Sequence, residues 1–213
     1  MPAALVPYSP AGTNSGLSPM HVMAGKGDVE ALEWLRSLGH DPQMLPQVEG
    51  RYSSWYQWPP VASAAGHIAA LQWFEDNGVD LLAPQPNGDT LLHIAARRGK
   101  VETMRWLKGK GADVREINDD GNTLFHATAR SGNMEAIRWA FREGLDINAE
   151  NKNGFTPLNA LLATVLTHSS HTADGSIHWF YVMSSGIMRK EKWMSDRGAK
   201  RGSSDRFPVV ERW

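Results

Sequence analysis

Apolar side chains recur along this chain in short paired blocks, each closed by a glycine. Leu91, Leu92, Ile94, Ala95 and Ala96 crowd together before Gly99. Val101, Met104 and Leu107 then follow at i, i+3, i+6 spacing before Gly111. The second block has the period of an amphipathic helix. Thr90 is placed to cap the first block, and Gly99 is suited to end it. The spacing predicts helices over Leu91–Arg98 and Val101–Lys108. Asp113–Asp120 is mostly polar and runs into Asp120-Gly121, a turn signal. The same alternation predicts Pro19–Lys26 with Val29–Leu38, Pro59–Ala65 with Ile68–Asp76, and Leu124–Ser131 with Met134–Arg142. Pro157–Thr164 opens a further pair.

These blocks are copies of one unit. Ser18–Gly27, Gln57–Gly66, Asp89–Gly99 and Asn122–Gly132 read SPMHVMAGKG, QWPPVASAAG, DTLLHIAARRG and NTLFHATARSG, and a partial copy, FTPLNALLA, starts at Phe155. The lead positions are Ser18, Gln57, Thr90, Thr123 and Thr156. From Gln57 onward they recur at one constant interval, and only the first step is longer. A second glycine closes each full copy, at Gly39, Gly78, Gly111 and Gly144. A fixed period of this size specifies an array in which each unit buries its apolar face on the next.

Thr90-Leu91-Leu92-His93-Ile94-Ala95, Thr123-Leu124-Phe125-His126-Ala127-Thr128, Ser18-Pro19-Met20-His21 and Thr156-Pro157-Leu158-Asn159 resemble the T-P-L-H-x-A signature of the ankyrin repeat, and the constant interval equals the period of that family. Gly111-Ala112-Asp113-Val114 matches its repeat end. The resemblance covers residues 15–164 and is weakest at Gln57-Trp58-Pro59-Pro60. It implies an all-α fold, an ankyrin-repeat solenoid of about four and a half helix–turn–helix repeats with short β-turn projections. Leu92, Ala95, Ala96, Leu107, Phe125, Ala129 and Ile137 are the expected core. Residues 1–14 are expected to be a flexible segment. Residues 165–213 form a C-terminal extension, expected to be partly capping and partly disordered.

The departures from period are informative. The first interval is six residues longer than the rest, and the additional residues lie between Pro42 and Tyr56, beside Tyr52, Trp55, Tyr56 and Trp58. The glycines expected at 165 and 177 are Val165 and Ile177. Trp179–Met183 is apolar enough to serve as a lid over Leu158, Leu161 and Leu162. Residues 189–213 are basic and poor in apolar side chains, so they are expected to be mobile or ordered by a partner. The extension carries eight Lys/Arg against five Asp/Glu, whereas the whole chain has a net charge of −1. That balance gives no reason to expect nucleic acid as a partner.

The chain has no cysteine, which excludes disulfides, thiolate metal sites and a cysteine nucleophile. Residues 1–17 carry no Lys or Arg and read as no secretory signal, and no apolar run is long enough to span a membrane. A cytoplasmic, reducing location is the expectation. His21, His93 and His126 occupy one register position, so they are spread along the array and do not converge. The resemblance gives them a structural role, joining neighbouring turns. Gly25-Lys26-Gly27 and Gly109-Lys110-Gly111 lack the length of a phosphate loop, and no G-x-S-x-G or H-E-x-x-H is present. No catalytic residue, metal site or cofactor is expected. Trp34, Trp73, Trp106 and Trp139 each stand seven residues after an inner glycine and form a column expected to pack between repeats.

The resemblance implies a non-enzymatic protein–protein interaction module that binds another protein through its turn tips and first-helix surface. Those positions are Trp55, Tyr56, Asp89, Arg97, Arg98, Asp120, Asn122, Arg130 and Phe155. The chain is expected to be a monomer by itself or a subunit of a larger complex. In the alternative reading it is a structural subunit or assembly factor that docks through its C-terminal extension.

Overall fold

The computed structural model describes residues 19–42, 64–168 and 186–203. Among them are nine helices: α1 Pro19–Lys26, α2 Val29–Ser37, α3 Ile68–Asp76, α4 Leu91–Arg97, α5 Val101–Gly109, α6 Leu124–Ser131, α7 Met134–Arg142, α8 Pro157–His168 and α9 Ile187–Ser195. Consecutive helices pair, and the pairs stack into an all-α repeat solenoid. Most of the expected helix Pro59–Ala65, and the lid expected over Trp179–Met183, lie outside the described residues.

The core is one continuous cluster running from Met20 to Met194. All seven expected core residues, Leu92, Ala95, Ala96, Leu107, Phe125, Ala129 and Ile137, are buried. The first helices α4, α6 and α8 lie side by side, and their small residues permit this: Ala95, Thr128 and Ala129 are wholly buried between neighbours.

Between the pairs the backbone projects as three equivalent turns. Gln85 N–H bonds Asp89 O at 2.8 Å, Asn118 N–H bonds Asn122 O at 3.1 Å, and Asn151 N–H bonds Phe155 O at 3.0 Å. Neighbouring turns are joined through Asp119 N–H to Asn87 O at 3.1 Å and Lys152 N–H to Asp120 O at 2.9 Å. Gly88 shows how closely they stack. Its φ is +74°, and a Cβ there would stand 2.7 Å from Asp119 N.

The C-terminal extension differs from its expectation over residues 187–203. Helix α9 packs on α8, with Met194 wholly buried. It is the missing second helix of the fifth repeat. Trp193 and Gly198 stand five residues apart, as do Trp34 and Gly39, Trp73 and Gly78, Trp106 and Gly111, and Trp139 and Gly144. The backbone agrees: Ala199 N–H reaches Met194 O at 3.1 Å, as Ala112 N–H reaches Leu107 O at 3.1 Å and Val79 N–H reaches Phe74 O at 3.0 Å. The step from Trp139 to Trp193 is far longer than the step from Trp106 to Trp139. The additional residues fall between α8 and α9, and they break the constant interval. Leu158 and Leu161 are buried in α8, which packs on both α6 and α9.

Beyond α9 the chain stands where the next turn of the series would. Lys200 N–H bonds Asn148 Oδ1 at 2.7 Å, Thr156 Oγ1 donates to Lys200 O at 2.7 Å, and Gly202 N–H bonds Asn159 Oδ1 at 2.6 Å. These bonds occupy polar groups that the next repeat would otherwise satisfy.

The tryptophan column packs only where a preceding repeat meets it. Trp73 and Trp139 are buried and Trp106 is half-buried. Trp73 Nε1–H donates to Glu33 Oε2 of the preceding pair at 2.7 Å. No helix pair precedes α1 and α2 among the described residues, and Trp34 is 61% exposed, contrary to the expectation of packing.

Candidate functional site

The turn tips and first helices bring most of the expected site residues to one side of the array, but with unequal roles. Asp89, expected on the binding surface, lies inside the turn. It is buried, and its Oδ2 accepts from Arg97 Nη2 at 2.5 Å while Oδ1 accepts from Asn118 Nδ2 at 2.9 Å. Burial alone would raise the carboxyl, but the Arg97 guanidinium and the Asn118 amide together hold it below its ordinary value. Asp89 thus anchors one turn to the next. Asn122 does the same one repeat later, accepting from Asn151 Nδ2 at 2.8 Å. Phe155 is half-buried, and its carbonyl receives His126 Nε2–H at 2.8 Å.

The histidines are part of this scaffold. His126 Nδ1 accepts from Thr123 N–H at 3.1 Å, so the ring proton sits on Nε2 and bridges to the next turn. His93 Nδ1 likewise faces Thr90 Oγ1 at 2.9 Å. Its Nε2 lies near the Asn122 carbonyl, but outside hydrogen-bond geometry. Burial holds both imidazoles below their ordinary pKa, partly offset at His93 by the Asp89 carboxylate and at His126 by the bond to Phe155. Asn159 takes the histidine's place in the fifth repeat, where its Oδ1 accepts from both Thr156 N–H and Gly202 N–H.

The remaining side chains face solvent. Arg98, Asp120 and Arg130 are exposed. Arg130 stands one repeat after Arg97. The position corresponding to Asp89 is Asn122, which is neutral, so Arg130 has no carboxylate where Arg97 has one. Ile117 was not legible as a site residue, yet it is 60% exposed on the arm of a turn, bridged to Thr123. Its signal in the sequence is a lone aliphatic residue inside Arg115-Glu116-Ile117-Asn118-Asp119. Trp55 and Tyr56 lie outside the described residues.

Among the described residues no three His, Asp or Glu side chains are placed to hold a metal ion, and no helix is long and apolar enough to cross a membrane. A family model described as ankyrin repeats (3 copies) matches residues 60–151 and 92–168, more than half of the 213-residue chain. The chain belongs to the ankyrin-repeat family. Such repeats are generally protein–protein interaction modules and typically non-enzymatic. The comparison with curated proteins gave no match.

Proposed function

We propose that this protein is a non-enzymatic binding module that takes a partner protein along its turn tips and first-helix surface. Ile117, Asp120, Arg98 and Arg130 are the contacting residues within the described part. Trp55 and Tyr56, in the longer connection before the second repeat, are proposed as further anchors. The observation that carries the reading is Ile117, held 60% exposed on a turn that is hydrogen-bonded to both neighbours. An apolar side chain on a fixed backbone contacts a partner with little further loss of conformational freedom. Arg130 adds an uncompensated charge, and Arg is a frequent interface anchor. A cytoplasmic location suits a chain without cysteine.

A photo-crosslinking residue at position 117 tests this. In cells it should capture one partner protein, and the capture should disappear in Arg130→Glu. The same residue at Glu102, exposed on a second helix, should capture none of that partner. Equal capture from both positions would defeat the reading.

A further inference from the structure

The second helices carry a ladder of paired positions that changes character at its last rung. Two residues after the tryptophan of one repeat meets four residues after the tryptophan of the next. Between α3 and the turn after α5 this pair is Glu75 and Lys110, at 2.6 Å. Between α5 and the turn after α7 it is Lys108 and Glu143, also at 2.6 Å with the signs reversed. At the last interface it is Phe141 and Arg197, a ring and a guanidinium 5.8 Å apart. A second pair behaves alike. Arg105 meets Glu135 at 3.4 Å, but one repeat later the register places Arg138 against Arg189, two like charges.

The outcome is a surface that is both basic and aromatic. Arg197 lies 3.9 Å from the centre of the Trp193 ring and Arg138 lies 5.9 Å from it, while Phe141 meets that ring edge to face at 5.6 Å. Phe141 remains 39% exposed, and Arg138, Arg142, Arg189 and Arg197 are all exposed. Among the described residues no carboxylate stands within 4.0 Å of any of these four arginines, although it does for Arg105, Lys108 and Lys110 on the preceding repeats. Glu191 of α9 is held by Arg201 at 3.8 Å, Asp196 follows the end of the helix, and Glu135 is already held by Arg105. Outside the described residues the acidic side chains are Glu49, Asp174, Asp205 and Glu211, scattered singly.

We infer that the α7–α9 surface is a second docking site, separate from the turn tips, for an acidic segment of another protein with an apolar side chain among its carboxylates. The carboxylates would meet Arg138, Arg142 and Arg189, and the apolar side chain would cover Phe141 and the edge of Trp193. Like charges set side by side keep their long side chains extended into water, and an anion relieves their repulsion. An apolar contact beside them separates this surface from a merely solvated basic face.

The test is fluorescence anisotropy of a short labelled peptide of repeated Glu-Glu-Leu triplets, titrated with the full chain. Arg138→Glu with Arg142→Glu should weaken binding about tenfold or more, and Phe141→Ser should weaken it with the charges intact. Both sites are exposed, and unchanged helical signal and melting midpoint would establish that the variants fold. Lys26→Glu with Arg36→Glu, an equal charge change at the other end of the array, should alter binding by less than about twofold. Arg130→Glu should likewise leave it unchanged, so the turn-tip reading and this one fail independently. Equal losses from the two charge pairs would overturn the proposal, as would no binding by the unmodified chain. Binding of single-stranded DNA or phosphatidylserine vesicles in place of the peptide would also overturn it.

Discussion

Asp89, just before α4, and Arg97, the last residue of that helix, face each other, Oδ2 to Nη2 at 2.5 Å, with the carboxylate side chain only 4% exposed. The same carboxylate accepts the Asn118 amide from the next turn. Asp89→Ala removes an anion that three side-chain donors, Arg97, Asn118 and Asn87, depend on, and should cost about 2–3 kcal/mol. The folded carboxyl titrates below 3.8, its unfolded value, so its contribution is complete above that pH and is lost as pH falls further. Urea melts at neutral pH check the first point. A loss within error would mean that Arg97 and Asn118 find water as readily as they find Asp89.

His93 and His126 set a second pH dependence with the same sign. Both fold with a pKa below 6.5, so the unfolded chain binds more protons, and stability rises with pH through this range. The contribution is whole above 6.5 and declines as pH falls below it. His126→Asn should keep the cap on Thr123 but lose the bond to Phe155, costing about 0.5–1.5 kcal/mol at neutral pH. It should also flatten the slope below pH 6.5, because one titrating group is gone. Melting midpoints across pH for the two chains would show it.

Helix α9 belongs to the array, which reverses what its composition suggests. Met194→Ala empties a wholly buried site and should cost about 2–5 kcal/mol. Ending the chain at Gly186 removes Met194, Trp193 and the bonds from Lys200 and Gly202, so it should lower the midpoint at least as far. If the shortened chain melts with the full one, α9 contributes nothing to the fold.

The tryptophans should answer unequally to alanine. Trp73 is 8% exposed with its indole N–H bonded to Glu33, and Trp73→Ala should cost about 3–5 kcal/mol. Trp34 occupies the same register at 61% exposure, and its replacement should cost about 0.5 kcal/mol or less. Similar costs would show that the column is not governed by the preceding repeat.

Ala95 is wholly buried in α4, which packs on the first helix of the following repeat. Ala95→Leu should cost about 1–3 kcal/mol by overpacking. An unchanged midpoint would mean the helices have slack between them.

Much of this architecture is legible one residue at a time. The period, the cap residues and the glycine stops place every described helix except α9. That helix escapes because the chain between Trp139 and Trp193 is much longer than any earlier step, so a search in register looks for glycines at 165 and 177 and finds none. The Trp193–Gly198 spacing was present throughout, but it is a signal only when distance along the chain is set aside. The binding surface was less legible. Position 89 and position 122 look alike as turn residues. Only stacking shows that both face the neighbouring turn, and that the change from Asp to Asn leaves Arg130 without its anion.

The sequence by itself determined the repeat and its core, because helical period and glycine placement are local and each copy restates them. Tertiary structure decided what no single copy contains. Whether a tryptophan is buried depends on the repeat before it, whether an arginine is paired depends on the residue one repeat away, and α9 finds its partner surface only in α8, far back along the chain. Those outcomes are differences between neighbours in space, and the chain brings them together only after it stacks.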